Sequence, residues 1–219
     1  MTTPATPPSG RRDGEATRQK LLRAALELFT GEGFLASTTP IIAQRAGVAE
    51  GTIYRHFTSK EHLLNEVYRG TQRWATGVVR EVDADRSLKA PERLARIARR
   101  FVETAERDPA GARMLLRQRD ANFLDVPSRD AAREFREAVQ QIVAAGKADG
   151  MVRAGPAELW TSIWLVVLGF IIERVASREW TMDQPQIGQA IESAWSAIAA
   201  PALPAPESRS SPSDRAAAG

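Results

Sequence analysis

Residues 38–64 read TTPIIAQRAGVAEGTIYRHFTSKEHLL, and the starts and stops within them decide the fold. Thr39 is placed to cap a helix, since its hydroxyl can accept from a free amide of the first turn. Pro40 follows at the first helical position, where a missing N–H costs nothing. Ile41, Ile42, Ala43 and Ala46 give that helix an apolar side. Gly47 ends it, because a tight turn needs the left-handed conformation that glycine adopts without steric penalty. Val48, apolar in mid-turn, is predicted to plug the space before a second, short helix that runs from Glu50 to Phe57. Within it Ile53 and Phe57 lie four apart and face inward, and a long third helix follows Ser59. A helix, a tight turn and a short second helix make a helix-turn-helix.

The short helix is left with Gly51, Thr52, Tyr54, Arg55 and His56 on its outer side. That set has no rationale in packing, but it suits a polyanion with readable base edges. Arg55 can reach a guanine in bidentate fashion, and the Thr52 methyl suits a thymine methyl. Lys60 lies in the first turn of the next helix, where free backbone amides already favour a phosphate.

Extended in both directions, the stretch resembles the DNA-binding domain of the TetR family, the tetracycline-repressor-like bacterial regulators. The resemblance is carried by Thr17-Arg18, Leu21-Leu22, Ala24-Ala25, Leu28-Phe29 and Gly33-Phe34. It continues through Thr38-Thr39, Ile42-Ala43, Ala46-Gly47-Val48, Gly51-Thr52-Ile53-Tyr54, His56-Phe57, Ser59-Lys60-Glu61 and Leu63-Leu64. It implies that Gly51, Thr52 and Arg55 meet base edges in the major groove and that Thr39, Tyr54, His56 and Lys60 contact phosphates. One position departs. The resemblance calls for serine or threonine at the cap of the recognition helix, and this chain has Ala49, which forgoes a cap worth about 0.5–2 kcal/mol. Glu50 complements the helix dipole but brings an anion close to DNA.

The whole chain has 219 residues, 43% of them hydrophobic and 26% charged, the balance of a soluble globular protein. It contains no cysteine, so disulfides and thiolate metal sites are excluded, which fits a reducing cytoplasm. Residues 1–60 hold eight basic and five acidic side chains, an excess of three that equals the net charge of the chain. The surplus therefore sits where phosphate binding would want it. Residues 1–13 lack the apolar core of a signal peptide and are predicted to be a disordered arm. Arg11 and Arg12 at its end are solvated in one reading and enter a minor groove in the other. Residues 201–219, rich in Pro, Ser and Ala, are expected to be a disordered tail.

Everything between is helical in period, so the predicted fold class is all-α with about nine helices. Residues 14–60 form the helix-turn-helix domain, and residues 61–200 a helical effector-binding and dimerisation domain. Leu22, Ala25, Leu26 and Phe29 give the opening helix its stripe. Leu94, Ile97, Ala98, Phe101 and Ala105 give one to the helix begun by Pro91. On the far side of that helix, Arg93, Arg96, Arg99 and Arg100 read as a solvated face balanced by nearby acids, in preference to a second nucleic-acid site.

The segment from Leu159 to Ile172 carries no charge and is apolar nearly all round. It is shorter than the about 20 residues that span a membrane, so no membrane partner is expected. A helix of this kind must be buried on both sides. The TetR resemblance implies that the last two helices of each subunit form a four-helix dimer interface, here through Val167, Leu168, Ile171 and Val175 with Ile191, Trp195 and Ile198. It also implies an effector pocket in the second domain. The candidates are Phe101, Met114, Leu115, Phe123, Phe135, Trp160 and Trp164, each of which serves equally well as ordinary core. Arg113, Arg117 and Arg119 form a basic cluster that is either solvated or holds an anionic head group. The mostly apolar set points to a hydrophobic or aromatic effector.

An enzyme is not expected, nor any cofactor or metal. Gly31-Glu32-Gly33-Phe34-Leu35-Ala36 fits a dinucleotide fingerprint only on paper, because it follows a helix rather than a strand. His56 and His62 have no partner at ligand spacing, and neither a nucleophile elbow nor a P-loop occurs. The predicted partners are double-stranded operator DNA, a second copy of the chain and a small effector. By family resemblance the protein is a repressor released from a palindromic operator. The alternative is a constitutive or architectural DNA-binding protein, or one controlled by a protein partner.

Overall fold

The computed structural model describes residues 9–115 and 121–201, with side chains from Asp13 in the first segment and from Asn122 in the second. In chain order the helices are α1 (Ser9–Gly31), α2 (Thr39–Ala46), α3 (Glu50–His56), α4 (Lys60–Asp83), α5 (Ala90–Arg107), α6 (Pro109–Leu115), α7 (Val126–Ala148), α8 (Ala157–Ala176) and α9 (Pro185–Ser196), with a 3₁₀ turn over Ala121–Phe123. Among the described residues the only extended pairing is an isolated bridge between Val152 and Ala199. The all-α class and the helix count agree with the period of the sequence.

The apolar side chains condense into two cores. One, the reading head, gathers Leu21, Leu28, Phe29, Phe34, Ile42, Ile53, Phe57, Leu63 and Leu64. The other, the body, is built from the second half of α4 with α5 and α7–α9, around Leu94, Phe101, Val139, Trp164, Leu168 and Ile191. α4 runs through both. Its first turns close the head, and its later residues Ala75, Val78, Val79 and Val82 enter the body.

Several boundaries move from their expected places. α1 begins at Ser9, so residues 9–13 are helix rather than arm, and residues 1–8 and 202–219 lie outside the described residues. The buried stripe of α1 is Leu21, Ala24, Ala25, Leu28 and Phe29, with Leu22 and Leu26 half-buried at its edge. The stripe is turned because α1 packs against three helices, α2, α4 and α6. Arg93 is also not on a solvated face. It is buried and donates to Asp83 at 2.9 Å, while Arg96 and Arg100 pair with Asp85 and Glu81. Three of the four arginines therefore latch α5 to the end of α4 and the loop after it.

α8 decides how the body presents itself. Thr161, Trp164, Leu168, Ile171, Ile172, Val175 and Ala176 are buried against α5, α6, α7 and α9. Leu159, Val166 and Phe170 are exposed on the opposite side. By length and composition α8 could cross a membrane, but one full side of it is built into the core of the body. The expected interface residues Leu168, Ile171, Val175, Ile191 and Ile198 are buried within the chain itself. Val167 and Trp195 are half-buried.

Candidate nucleic-acid interface

The turn between α2 and α3 is made as its residues dictate. Gly47 takes φ 69° and ψ 36°, the left-handed region where a Cβ would be strained. The Val48 amide then donates to the Ala43 carbonyl at 3.0 Å, and its side chain packs into the head core. α3 is anchored by Ile53 within and by Phe57 at its C-terminal cap, both fully buried. Two inward anchors one turn apart leave the other side of α3 outward. Gly51, Tyr54 and Arg55 are exposed there, with Thr52 and His56 half-buried. A Cβ on Gly51 would meet nothing within 4 Å, so the helix backbone is bare at that point.

The cap of α2 is Thr38, not Thr39, and its side chain makes no capping hydrogen bond. Thr39 is instead the first helical residue, and its hydroxyl shares a hydrogen bond with the Tyr54 hydroxyl at 3.1 Å. Two residues assigned separately to phosphate contact are thus one unit, each fixing the other across the turn. At the start of α3, Ala49 provides no side-chain cap, as its methyl requires. Ile41 is partly exposed on α2 rather than turned inward.

Lys60 is more committed than its sequence position suggests. Its ammonium donates to the Phe34 carbonyl at 2.9 Å and lies 4.2 Å from the centre of the Phe34 ring, a cation–π contact. It ties the first turn of α4 to the loop after α1. Ser59 caps α4 by accepting from the His62 amide at 3.1 Å, and His62 Nδ1 is 3.1 Å from both the amide nitrogen and the hydroxyl of Thr58. The second histidine therefore braces the α3–α4 turn. Among the described residues no three His, Asp or Glu side chains gather as metal ligands.

A polar relay invisible to helical period joins this head to the body. Arg18 of α1 pairs with Glu66 of α4, Glu66 with Arg69, and Arg69 with Asp125, the N-cap of α7. Asn65, also buried, donates to the Phe123 carbonyl at 2.9 Å and accepts from the Asp125 amide at 2.9 Å. Burial pushes the Glu66 carboxyl up, but the hydrogen bond and charge of Arg69, joined by Arg18, hold it below its ordinary value. Asp125 behaves alike: burial raises it, and Ser128 and Arg69 outweigh that.

Residues 21–67 match the family model for bacterial regulatory proteins of the tetR family. The HTH-type transcriptional repressor KstR2 of Mycolicibacterium smegmatis is 32% identical over 157 residues, covering 68% of this chain and 72% of that protein. The chain belongs to the TetR family. The KstR2 repressor of Rhodococcus jostii is similar at 30% identity over 154 residues, covering 68% of this chain and 74% of its own length. A TetR family regulator from Marinobacter aquaeolei shares the fold with a TM-score of 0.74 at 19% identity, over 86% of this chain and 98% of its own. This TetR family member is a DNA-binding transcriptional regulator and not an enzyme.

The residues assigned to an effector pocket do not gather in one place in this TetR family body. Phe101, Leu115, Phe135 and Trp164 are buried in the body core, Phe101 and Phe135 with ring centres 6.0 Å apart. Met114 and Phe123 belong to the head core, where Phe123 lies 4.5 Å from Phe34. Met114 parts from the others because α6 packs on α1 as well as on α5 and α8, and Phe123 because the 3₁₀ turn sets it on Phe34. Trp160 is half-buried against the body with its indole N–H buried and unpartnered. Arg113 reaches Glu173 at 3.3 Å, and Arg117 and Arg119 lie outside the described residues.

Proposed function

We propose that this TetR family protein is a cytoplasmic homodimeric repressor that binds a palindromic operator and is released from it by a small apolar or aromatic effector. The observation that carries the reading is the outer side of α3, where Gly51, Thr52, Tyr54 and Arg55 stand on the buried anchors Ile53 and Phe57. Gly51, Thr52 and Arg55 are the base-edge contacts in this reading. Thr39, Tyr54, His56 and Lys60 hold phosphates. Dimerisation is supported by the exposed apolar row on α8, which one copy of the chain leaves uncovered. Two copies related by a twofold axis suit half-sites about 34–36 Å apart. Gating is supported by α4, whose one rigid helix closes the head and runs into the body. The relatives from M. smegmatis and R. jostii are named as repressors.

Selection of bound sequences from a random duplex pool at near-physiological salt tests the reading. A sharp palindrome supports it. A flat selection with a steep salt slope favours an architectural binder. Within the operator, Tyr54→Ala is expected to weaken binding across many sequences, since its hydroxyl also fixes Thr39. Arg55→Ala is expected to relax preference at one or two base pairs at a cost of about 1–3 kcal/mol. An Arg55→Ala protein with unaltered base preference would remove Arg55 from the readers.

A further inference from the structure

We propose that a groove at the joint between reading head and body is a binding site for a small aromatic carboxylate. The groove has a volume of about 370 Å³, and its walls include Leu26 of α1, Gly70 and Trp74 of α4, and Thr104, Arg107 and Asp108 beside α6. Its lining shares no residue with the core around Phe135 and Trp164. Its volume lies near the lower end of the about 300–1,000 Å³ typical of ligand sites, which suits a molecule of one or two rings.

Three residues set the chemistry. Trp74 is 41% exposed in the middle of a long helix and lines the groove, its ring tilted against Phe101 at 5.5 Å between centres, so it offers aromatic surface to an occupant. Gly70, one turn earlier, also lines the groove, and a Cβ there would meet nothing within 4 Å. A glycine inside a helix is disfavoured against alanine, and no neighbour in the chain needs the room it leaves. Arg107 supplies the charge. Its side chain is 74% exposed, and its guanidinium reaches Glu103 only at 3.9 Å, with a 3.3 Å bond from Nε to the Glu103 carbonyl. An arginine this loosely held is available to a carboxylate in forked geometry. The acid of the groove does not oppose this, because Asp108 is bound to Arg23 at 2.7 Å and accepts from the Gly111 amide at 3.2 Å.

The position gives the site its consequence. Leu26 belongs to α1, and Arg23, one turn away on the same helix, ties α1 to Asp108. An occupant seated between Leu26 and Trp74 loads that joint and shifts the head against the body, changing the spacing of the two recognition helices. This rests on the small-molecule-gated reading above and supplies its location and ligand chemistry.

Calorimetric titration of the full chain with 1-naphthoate and with its neutral analogue 1-naphthamide tests the site. The expected result is one naphthoate per chain, weakened at least tenfold by Arg107→Ala while naphthamide is unaffected. Gly70→Leu, which fills the groove from a sterically open position, should abolish both, with circular dichroism confirming the fold. Naphthoate binding that survives both substitutions, or no binding of either probe, overturns the groove. Operator release by a molecule indifferent to Gly70→Leu also overturns the groove but leaves small-molecule gating intact. Naphthoate that binds as expected and leaves operator affinity unchanged within twofold supports the site and overturns its part in release.

Discussion

Val166→Glu is expected to make the protein monomeric and to lower its affinity for a two-half-site operator by about 100-fold or more. Val166 is 73% exposed, and Leu159 and Phe170 flank it on the same side of α8. The opposite side, through Trp164, Leu168, Ile171 and Val175, is spent on the body core. A glutamate on the exposed side therefore leaves the folded chain almost untouched, within about 0.5 kcal/mol. Set against a second copy, the same carboxylate would be buried without a partner, which proteins do not tolerate. The operator penalty follows from tethering, because a dimer holding one half-site presents its second head at millimolar effective concentration, and a monomer presents none. Light scattering gives the mass, anisotropy with labelled operator the affinity, and a thermal melt the fold. A Val166→Glu protein that remains dimeric would move the interface off α8. Phe170→Glu should act in the same direction but less cleanly, since Trp180 and Arg174 already cover part of that ring.

The same helix shows where the sequence is legible and where it is not. α2, its glycine turn, α3 and the start of α4 after Ser59 could be read because each depends on local chemistry. Proline starts a helix, glycine turns the chain, and Ile53 and Phe57 define an inside. α8 lacks such a contrast. With both sides apolar, its period cannot say which side faces the core, and a choice of Leu168, Ile171 and Val175 for the dimer picks the side that the chain keeps for itself. The effector candidates divide between the two cores for a related reason. An apolar residue on the inner stripe of a helix is expected inside, but only the packing of α6 on α1 sends Met114 to the head. Thr39 illustrates the smallest scale, where a one-residue shift of the cap turns a capping hydroxyl into a partner for Tyr54. Trp74 and Gly70 carried no signal at all, since an open aromatic beside a glycine looks like an ordinary surface until the groove around it is formed.

Arg69→Met is expected to cost about 2–4 kcal/mol of stability at neutral pH, because removing one partner from a buried ion pair leaves the others uncompensated. Arg69 is nearly buried and bridges Glu66 and Asp125, whose side chains are 26% and 43% exposed, so the loss falls below that of a fully buried pair. Methionine keeps the volume of the stem and removes the charge, which separates electrostatics from packing. The pH dependence makes the assignment testable. Glu66 and Asp125 both have folded values held below their ordinary ones. Their contribution is therefore fully present above the unfolded carboxylate range, about pH 4, and is lost as pH falls through the lower folded values. In the Arg69→Met protein the carboxylates keep their burial without the cation, so that protein loses less stability on acidification. Urea melts at pH 7 and pH 3.5 should show a wide gap between the two proteins at pH 7 that narrows at pH 3.5. A gap of equal size at both would assign the loss to packing and take the charge out of the relay. Because the relay runs from Arg18 of α1 to the cap of α7, its removal also loosens the head from the body. Hydrogen exchange in α1 and at the start of α7 should then accelerate together, while the interior of α5, which lies outside the relay, stays protected relative to the global stability.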